Sequence, residues 1–544
     1  MSFDFISRRS PVLAQHGMVA SSQPLATMAG IRILQTGGNA TDAAVATAAA
    51  LNVTEPTSTG LGGDFFALLY NAKTRAVTAL NGSGRVPAAL TIDHVQAQNL
   101  ASPSHQFANP FHAHCVTVPG ACAGWCDLIE RHGTLSMSRI LAPAIALAEE
   151  GFPVAPATAH YWQRSEDKLR SALGGQTLLI NGNAPRAGEI FRNPSLARTM
   201  RTIAEGGKDA YYRGDIARAI VHAVQKSGGV MTTDDLAAHT STWDEPISTT
   251  YRGVRVWECP PNGQGLAALM ALNVLEGFDL KQTDPMGVAR WHLMIEAMRM
   301  AFADTSWYVA DPKFSSIPLD GLLSKQYATE RRGLIHLDRA TLDTQHGSPV
   351  AGSDTVYFCV VDDQGNGASV INSNYMGFGT GIVPEGWGFT LQNRGANFSL
   401  DPAHPNALAP RKRPYHTIIP GMITRESDRS LYAPFGVMGG FMQPQGHMQV
   451  VVGMIDDGLD PQAALDRPRF CIEPANAAGI VSLESGVPTI VVTELEKRGH
   501  ILKSQVSGYA RALFGRGQII RRDPDTGVLC GGSDSRADGC AIGY

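Results

Sequence analysis

The sequence predicts a mixed α and β protein in which a largely helical body is followed, from Thr355 onward, by a β-rich portion. Three observations carry this. Between about residues 120 and 235 the segments LAPAIALAEEG and IARAIVHAVQKSGG place apolar residues three and four apart and end in glycine. In VARWHLMIEAMRMAFAD, Trp291, Ile295, Met298 and Phe302 recur at helical spacing and read as a core helix. After Thr355, VYFCVV and ASVINS flank DDQGNG, a hairpin whose turn carries the glycine and asparagine that positive φ favours.

Taken in order, GGNATDAAVATAAALNV opens with Asn39 or Thr41 as a helix cap, and its alanine-rich body allows close packing, so a buried helix is expected. FFALLYN and RAVTALNG follow the glycines of GLGGD and form a hairpin through Ala72 and Lys73. GLGGD and GFGTG read as turns. SKQYATERRGLIHLDRATLDTQHGSPVAGSD is charged and unpatterned and reads as a long exposed connector before Thr355. No internal repeat or low-complexity segment is visible.

With 544 residues, 44% of them hydrophobic and 17% charged, the chain is neither a disulfide scaffold nor fibrous nor disordered, and it can bury a large core without crosslinks. The net charge is −4, and no basic run exceeds Arg411, Lys412 and Arg413, which excludes a nucleic-acid partner and favours small molecules. The eight cysteines form no C-x-x-C pair and read as buried thiols, with a Cys530 to Cys540 bridge as the alternative. The twin arginine Arg8 and Arg9 is followed by Pro11, Gln15 and His16 where an export signal needs an apolar run. No membrane span is expected, and a cytoplasmic location follows as the default.

There is no H-E-x-x-H, phosphate-binding loop, G-x-S-x-G elbow or dinucleotide-binding G-x-G-x-x-G. What remains is Thr355, between the connector and the first residue of a strand. The segments around it decide its meaning. GGNATDAAVATAAALNVTEPTSTGLGGDFF, TVPGACAGWCDLIERHGTL, APAIALAEEGFPV, YRGVRVWECPPNGQG, SDTVYFCVVDDQGN and the closing GGSDSRADG resemble, in order and from about residue 17 to the end, the γ-glutamyltransferase family.

That resemblance implies an N-terminal nucleophile hydrolase, an α+β protein built as a four-layer αββα sandwich. It is made as one chain and cut between Asp354 and Thr355 into a large subunit, 1–354, and a small subunit, 355–544, which stay associated. Thr355 takes the nucleophile's place: once freed, its α-amine, with a pKa near 8, serves its own hydroxyl as base. The same hydroxyl first attacks the Asp354 carbonyl, with Gly352 and Ser353 giving the backbone room to bend. Gly439 and Gly440 match the family's oxyanion glycines, and Ser373 stands where the family has a supporting threonine hydroxyl.

The departures fall on the acyl pocket. The arginine that clamps the family's α-carboxylate aligns with Ser83, leaving Arg85 two positions away, so a bidentate clamp does not follow. Tyr375 replaces an asparagine, Asn397 replaces the aspartate that holds the α-ammonium, and His416 and Thr417 replace paired serines. Arg394 reads either as a ligand contact or as a structural ion pair, and His416 either as a substrate contact or as a satisfied structural histidine. The expected function is a self-processing amidohydrolase or acyltransferase that cleaves small amides, γ-glutamyl compounds such as glutathione by resemblance, and uses no metal or cofactor. The alternative resembles oxamate amidohydrolase or cephalosporin acylase, with a carboxylate-bearing acyl group that lacks an α-amine. A third reading is an unprocessed binding protein.

Overall fold

The computed structural model describes residues 9–342, 355–476 and 478–544. Two seven-stranded sheets form its centre. In one, the neighbours run Val12–Ala14, Leu529–Ser533, Arg516–Arg522, Leu431–Met438, Gly421–Arg425, Val254–Glu258, Ile247–Tyr251. In the other, the Thr355 sheet, they run Cys540–Gly543, Met18–Ser21, Val356–Val361, Gly367–Ser373, Asp64–Asn71, Ala76–Gly82, Thr242–Asp244. All pairings in both sheets are antiparallel.

Three apolar layers follow from these sheets. Helices Pro24–Gln35, Ala40–Thr54, Met137–Glu150 and Pro194–Tyr212 share one core with the outer face of the Thr355 sheet. Helices Gly265–Glu276, Val288–Tyr308 and Met442–Ile455 do the same for the other sheet. Between the sheets, Phe66, Leu68, Tyr357, Cys359 and Ile371 meet Met422, Leu431, Ile520 and Leu529. The architecture is a four-layer αββα sandwich.

Local chemistry explains the elements. Asn39 caps Ala40–Thr54 by accepting from the Thr41 and Asp42 amides while Asp42 returns a bond to the Asn39 amide, a reciprocal capping box. All fifteen residues of that helix are buried, as its alanine content implies. Val288–Tyr308 is a core helix, and Gly365, at φ 81°, turns the hairpin after Val361. All eight cysteines are free thiols, so Cys530 and Cys540 are not bridged. The connector is not wholly irregular: Lys325–Arg332 forms a helix because Ser324 accepts from the Tyr327 amide as its cap. Gly352, Ser353 and Asp354 lie outside the described residues. Among the described residues, no helix is long and apolar enough to cross a membrane.

The GGSDSRADG segment is anchored in the sandwich through a buried ionic network. Arg536 bonds both Glu484 and Asp534, with Nε to Glu484 Oε1 at 2.8 Å and Nη1 to Asp534 Oδ1 at 2.9 Å. Arg469 reaches the other Asp534 oxygen at 2.9 Å. Burial alone would raise the Asp534 carboxyl, but Arg469 and Arg536 outweigh it and hold the group at about 2. A carboxyl lowered by folding stabilises fully above its ordinary range, and that contribution is lost as pH falls toward the folded value. Arg536→Ala would leave two buried carboxylates short of a partner, at a cost of about 3–5 kcal/mol. The expected outcome is a thermal midpoint several degrees lower at neutral pH, with a difference from wild type that shrinks as pH approaches 2. An unchanged midpoint followed by circular dichroism would mean that the network contributes nothing.

Candidate active site

Strand alternation aims the site between the sheets. In Val356–Val361, Val356, Phe358 and Val360 join the helix-facing core, whereas Tyr357 and Cys359 join the inter-sheet core. One step back, the same period places Thr355 on the inter-sheet side. Val356 pairs with Asn372, so Ser373 lies across from Thr355, and Ser373 pairs in turn with Asp64 on the third strand. Three polar residues from three adjacent strands therefore form a row, each of them 0% exposed. Gly63 permits the approach, because a Cβ there would sit 2.2 Å from the Ser373 carbonyl oxygen.

Thr355 Oγ1 and Ser373 Oγ are 2.9 Å apart. Two N–H donors also point at Ser373 Oγ, the Tyr375 amide at 2.9 Å and Arg394 Nη2 at 3.0 Å. With both lone pairs engaged, the hydroxyl's own proton is directed outward, and Thr355 Oγ1 is within its reach. Tyr375 supplies its amide from a backbone with φ 78°, a strained conformation for a bulky residue. Its ring lies under the Arg394 guanidinium at 4.4 Å.

Arg394 is itself fully buried and is held from three sides. Nη1 donates to Thr417 Oγ1 at 2.7 Å, Nη2 to Ser373, and Nε faces Asp64 Oδ2 at 3.6 Å. Burial lowers the guanidinium to about 10 against the pull of Asp64, so it stays charged at neutral pH. Asp64 is engaged on every side: Oδ1 accepts from the Gly84 amide at 2.8 Å and Gln392 Nε2 at 3.0 Å, and Oδ2 from His416 Nε2 at 3.0 Å. Burial would raise its carboxyl, but His416 and Arg394 more than offset that and lower it. The Ile418 amide donates to His416 Nδ1 at 3.3 Å, which leaves the ring proton on Nε2. Burial and the Arg394 charge push the imidazole down to about 4, so it is neutral.

Gly439 and Gly440 occupy the passage from strand Leu431–Met438 into helix Met442–Ile455, at φ 135° and 58°. The start of a helix is a natural place for amides that receive negative charge. Gln264, from the PPNGQG segment, ties this turn to the acyl side: its Nε2 donates to both Thr417 O and Gly440 O at 2.8 Å, and Tyr415 holds its Oε1.

The structure thus gathers Thr355, Ser373, Tyr375, Arg394, His416 and Thr417 into one hydrogen-bonded group linked through Gln264 to Gly440. Asn397 sits at its edge, donating to Tyr415 O at 3.1 Å. Arg85 is directed elsewhere, with Nη1 on Thr240 O at 3.2 Å. The guanidinium that attends Ser83 is that of Arg413, whose Nε donates to the Ser83 carbonyl at 3.0 Å. Asp64 and Gln392 were not singled out in the sequence. The signal for Asp64 was present, since in DFFALLYN the inter-sheet face reads Asp64, Phe66, Leu68 and Tyr70, one acid heading an apolar row.

Comparison with known proteins agrees with this geometry. The family model described as gamma-glutamyltranspeptidase matches residues 26–544. The chain is 37% identical over 535 residues to the glutathione hydrolase-like YwrD proenzyme of Bacillus subtilis, covering 98% of this chain and 99% of the relative. It is 33% identical to the oxamate amidohydrolase proenzyme of Klebsiella pneumoniae, over 98% of this chain and 99% of that protein. The crystal structure of cephalosporin acylase from Bacillus halodurans superimposes with a TM-score of 0.92 and 47% identity, covering 100% of this chain and 98% of that one. The chain belongs to the γ-glutamyltranspeptidase family of N-terminal nucleophile hydrolases.

Proposed function

We propose that the protein is a self-processing amidohydrolase that cuts itself before Thr355 and then hydrolyses small amides whose acyl group bears a carboxylate but no α-amine. One observation carries the choice of acyl group. The pocket's carboxylate, Asp64, is already met by Gly84, Gln392, His416 and Arg394, and position 397 offers a neutral amide. A substrate ammonium would find no anionic acceptor there, whereas the Thr417 hydroxyl, which accepts from the charged Arg394, keeps its own proton to donate. The likeness to the oxamate amidohydrolase and the cephalosporin acylase supports the same reading. A second reading, hydrolysis of γ-glutamyl amides such as glutathione, is favoured by the YwrD relative. The eight unbridged thiols support a reducing, cytoplasmic setting.

The steps use this chain's own groups. In the uncut chain Thr355 Oγ1 attacks the carbonyl carbon of residue 354, the peptide C–N bond breaks to give an ester, and water opens that ester and frees the α-amine. In turnover, Oγ1 attacks the substrate carbonyl while its proton passes to the α-amine. Ser373, held by Arg394 and the Tyr375 amide, donates to Oγ1 and stabilises charge there. The Gly439 and Gly440 amides receive the oxyanion. The C–N bond breaks, and the amine departs with the proton from the α-amine. Water then attacks the ester and gives its proton to the α-amine, and the acid leaves as Oγ1 is reprotonated.

Three expectations follow. Purified protein should separate on a denaturing gel into fragments of roughly 38 and 20 kDa out of 58.0 kDa, the smaller beginning Thr355, Val356, Tyr357 by N-terminal sequencing. Thr355→Ala should stay one inactive chain and Thr355→Ser should cut slowly, so full activity from an uncut Thr355→Ala chain refutes the mechanism. Gly440→Val should lower kcat about 100-fold with a smaller change in KM, because the lost contact belongs to the transition state. A normal kcat with reduced thermal stability would instead assign the glycines to turn geometry.

In a donor panel, oxamate or a glutaryl amide should exceed glutathione in kcat/KM. Asn397→Asp should move that ratio toward γ-glutamyl donors by about ten- to a hundredfold, the worth of one charged contact. Efficient glutathione turnover by the wild type, with the diacid amides ignored, would favour the second reading.

A further inference from the structure

Two imidazoles and a carboxylate meet in the helical layer that covers the other sheet, on the face opposite the inter-sheet layer. His292 and Glu296 are four positions apart on helix Val288–Tyr308 and so share one side of it. His500 reaches them from helix Thr489–Lys497, whose end is turned by Gly499 at φ 86°. The Gly499 amide donates to Glu496 O and the His500 amide to Leu495 O, the paired bonds of a left-handed glycine cap. That cap brings His500 back against Val288–Tyr308. His292 and Glu296 are 0% exposed and His500 is 4% exposed.

One donor atom from each residue lies within 4.8 Å of the other two. His292 Nδ1 is 2.8 Å from His500 Nε2, which is 4.0 Å from Glu296 Oε1. A tetrahedral zinc with bonds of about 2.0–2.2 Å sets its ligands roughly 3.3–3.5 Å apart, and the two separations bracket that spacing. The hydrogen bonds around the cluster agree. His292 Nε2 faces the His336 carbonyl at 2.7 Å, and a carbonyl only accepts, so the ring proton is on Nε2 and Nδ1 presents its lone pair inward. A backbone carbonyl on the outer N–H is how a metal-bound imidazole is commonly oriented. Glu296 Oε2 accepts from the Thr341 amide at 3.0 Å, whereas Oε1 is buried and accepts no hydrogen bond. Arg299 Nε faces that oxygen from 3.6 Å, beyond hydrogen-bond distance. Burial lowers both imidazoles, His500 to about 3, so each is neutral and able to ligate.

We propose that His292 Nδ1, His500 Nε2 and Glu296 Oε1 bind one zinc ion, with a water in the fourth position. Two imidazole nitrogens and one carboxylate oxygen suit zinc, whereas calcium and magnesium take oxygen ligands. His500 then carries its proton on Nδ1. The Arg299 charge opposes the ion, so the two imidazole bonds supply most of the affinity. The outer contacts to the cluster come from one segment, through His336 O and the Thr341 amide, and the Ala340 amide also donates to Arg498 O at 2.6 Å. Zinc therefore staples residues 336–341, on the approach to Thr355, to Val288–Tyr308 and to the turn at His500. The role is structural, adds no step to the reaction and is independent of the acyl-enzyme reading.

The test uses the untagged full chain, stripped with a chelator and titrated with zinc. Elemental analysis should find one zinc per chain, and zinc should raise the thermal midpoint. Cobalt(II) in its place should give the intense visible bands of a tetrahedral site, which zinc then bleaches. Glu296→Gln and His500→Gln keep a polar side chain of similar reach, and circular dichroism reports whether they fold. Since outer-shell changes alone cost about 10–100-fold in affinity, loss of a ligand should weaken zinc binding at least about 100-fold in calorimetry and abolish the cobalt bands. Anomalous scattering at the zinc edge from zinc-grown wild-type crystals needs no variant, and a peak between His292 and His500 is expected. Absence of that peak, or no zinc bound in solution, would overturn the site. So would undiminished binding in both variants with loss in His112→Ala combined with His114→Ala, which would assign the ion to the histidines whose rings meet at 4.7 Å.

Discussion

The structure turns on how a fully buried guanidinium is kept charged beside a hydroxyl. Arg394 is fully buried, and an unpaired cation in that setting costs several kcal/mol. Asp64 removes this cost by facing Nε, and Thr417 and Ser373 take two of the remaining donors. The result is a Ser373 oxygen whose lone pairs are already engaged, so that its proton is left for Thr355 Oγ1. Asp64 in turn needs the Gly84 amide, Gln392 and a neutral His416 to be saturated. Each of these groups is placed by a different element, and every one of them converges on the inter-sheet face.

This dependence separates two roles that look alike in a list of pocket residues. Arg394 reads in the sequence either as a ligand contact or as a structural ion pair, and its contacts with Asp64, Thr417 and Ser373 make its most direct chemical effect the one on Ser373. His416 likewise points its only ring proton at Asp64, and its other nitrogen is occupied by the Ile418 amide. Both therefore act first through their neighbours.

Much of this was legible in the sequence where short-range chemistry decides. The Asn39 cap, the hairpin around DDQGNG, the core helix from Val288 and the strand opened by Thr355 all follow from periodicity and turn residues a few positions apart. The pairing of the sheets was not legible that way, because it depends on contacts such as Ser373 with Asp64, separated by some three hundred residues. For the same reason Asp64 escaped notice although it stood in a quoted motif, and Arg413 was not connected with Ser83. A guanidinium at the end of a long side chain can be replaced by one arriving from a remote segment, and proximity in sequence says little about which one arrives. The helix at Lys325 was missed because its single cap, Ser324, was outweighed by a charged, unpatterned surrounding.

The sheet order would also let the chain keep its site after the cut proposed before Thr355. Strand Val356–Val361 has Gly367–Ser373 on one side and Met18–Ser21 on the other, and Gly367–Ser373 continues to Asp64–Asn71. A cut before Thr355 breaks one covalent bond and none of these ladders. The strand that begins with the new amine remains clamped between a partner from each side of the cut, and the acid that neutralises Arg394 comes from the far side. The two pieces cannot separate without pulling Asp64 off Arg394 and exposing the apolar layer around Phe66 and Tyr357. Association of the fragments and integrity of the catalytic hydrogen bonds are therefore one requirement, imposed by the same buried ion pair.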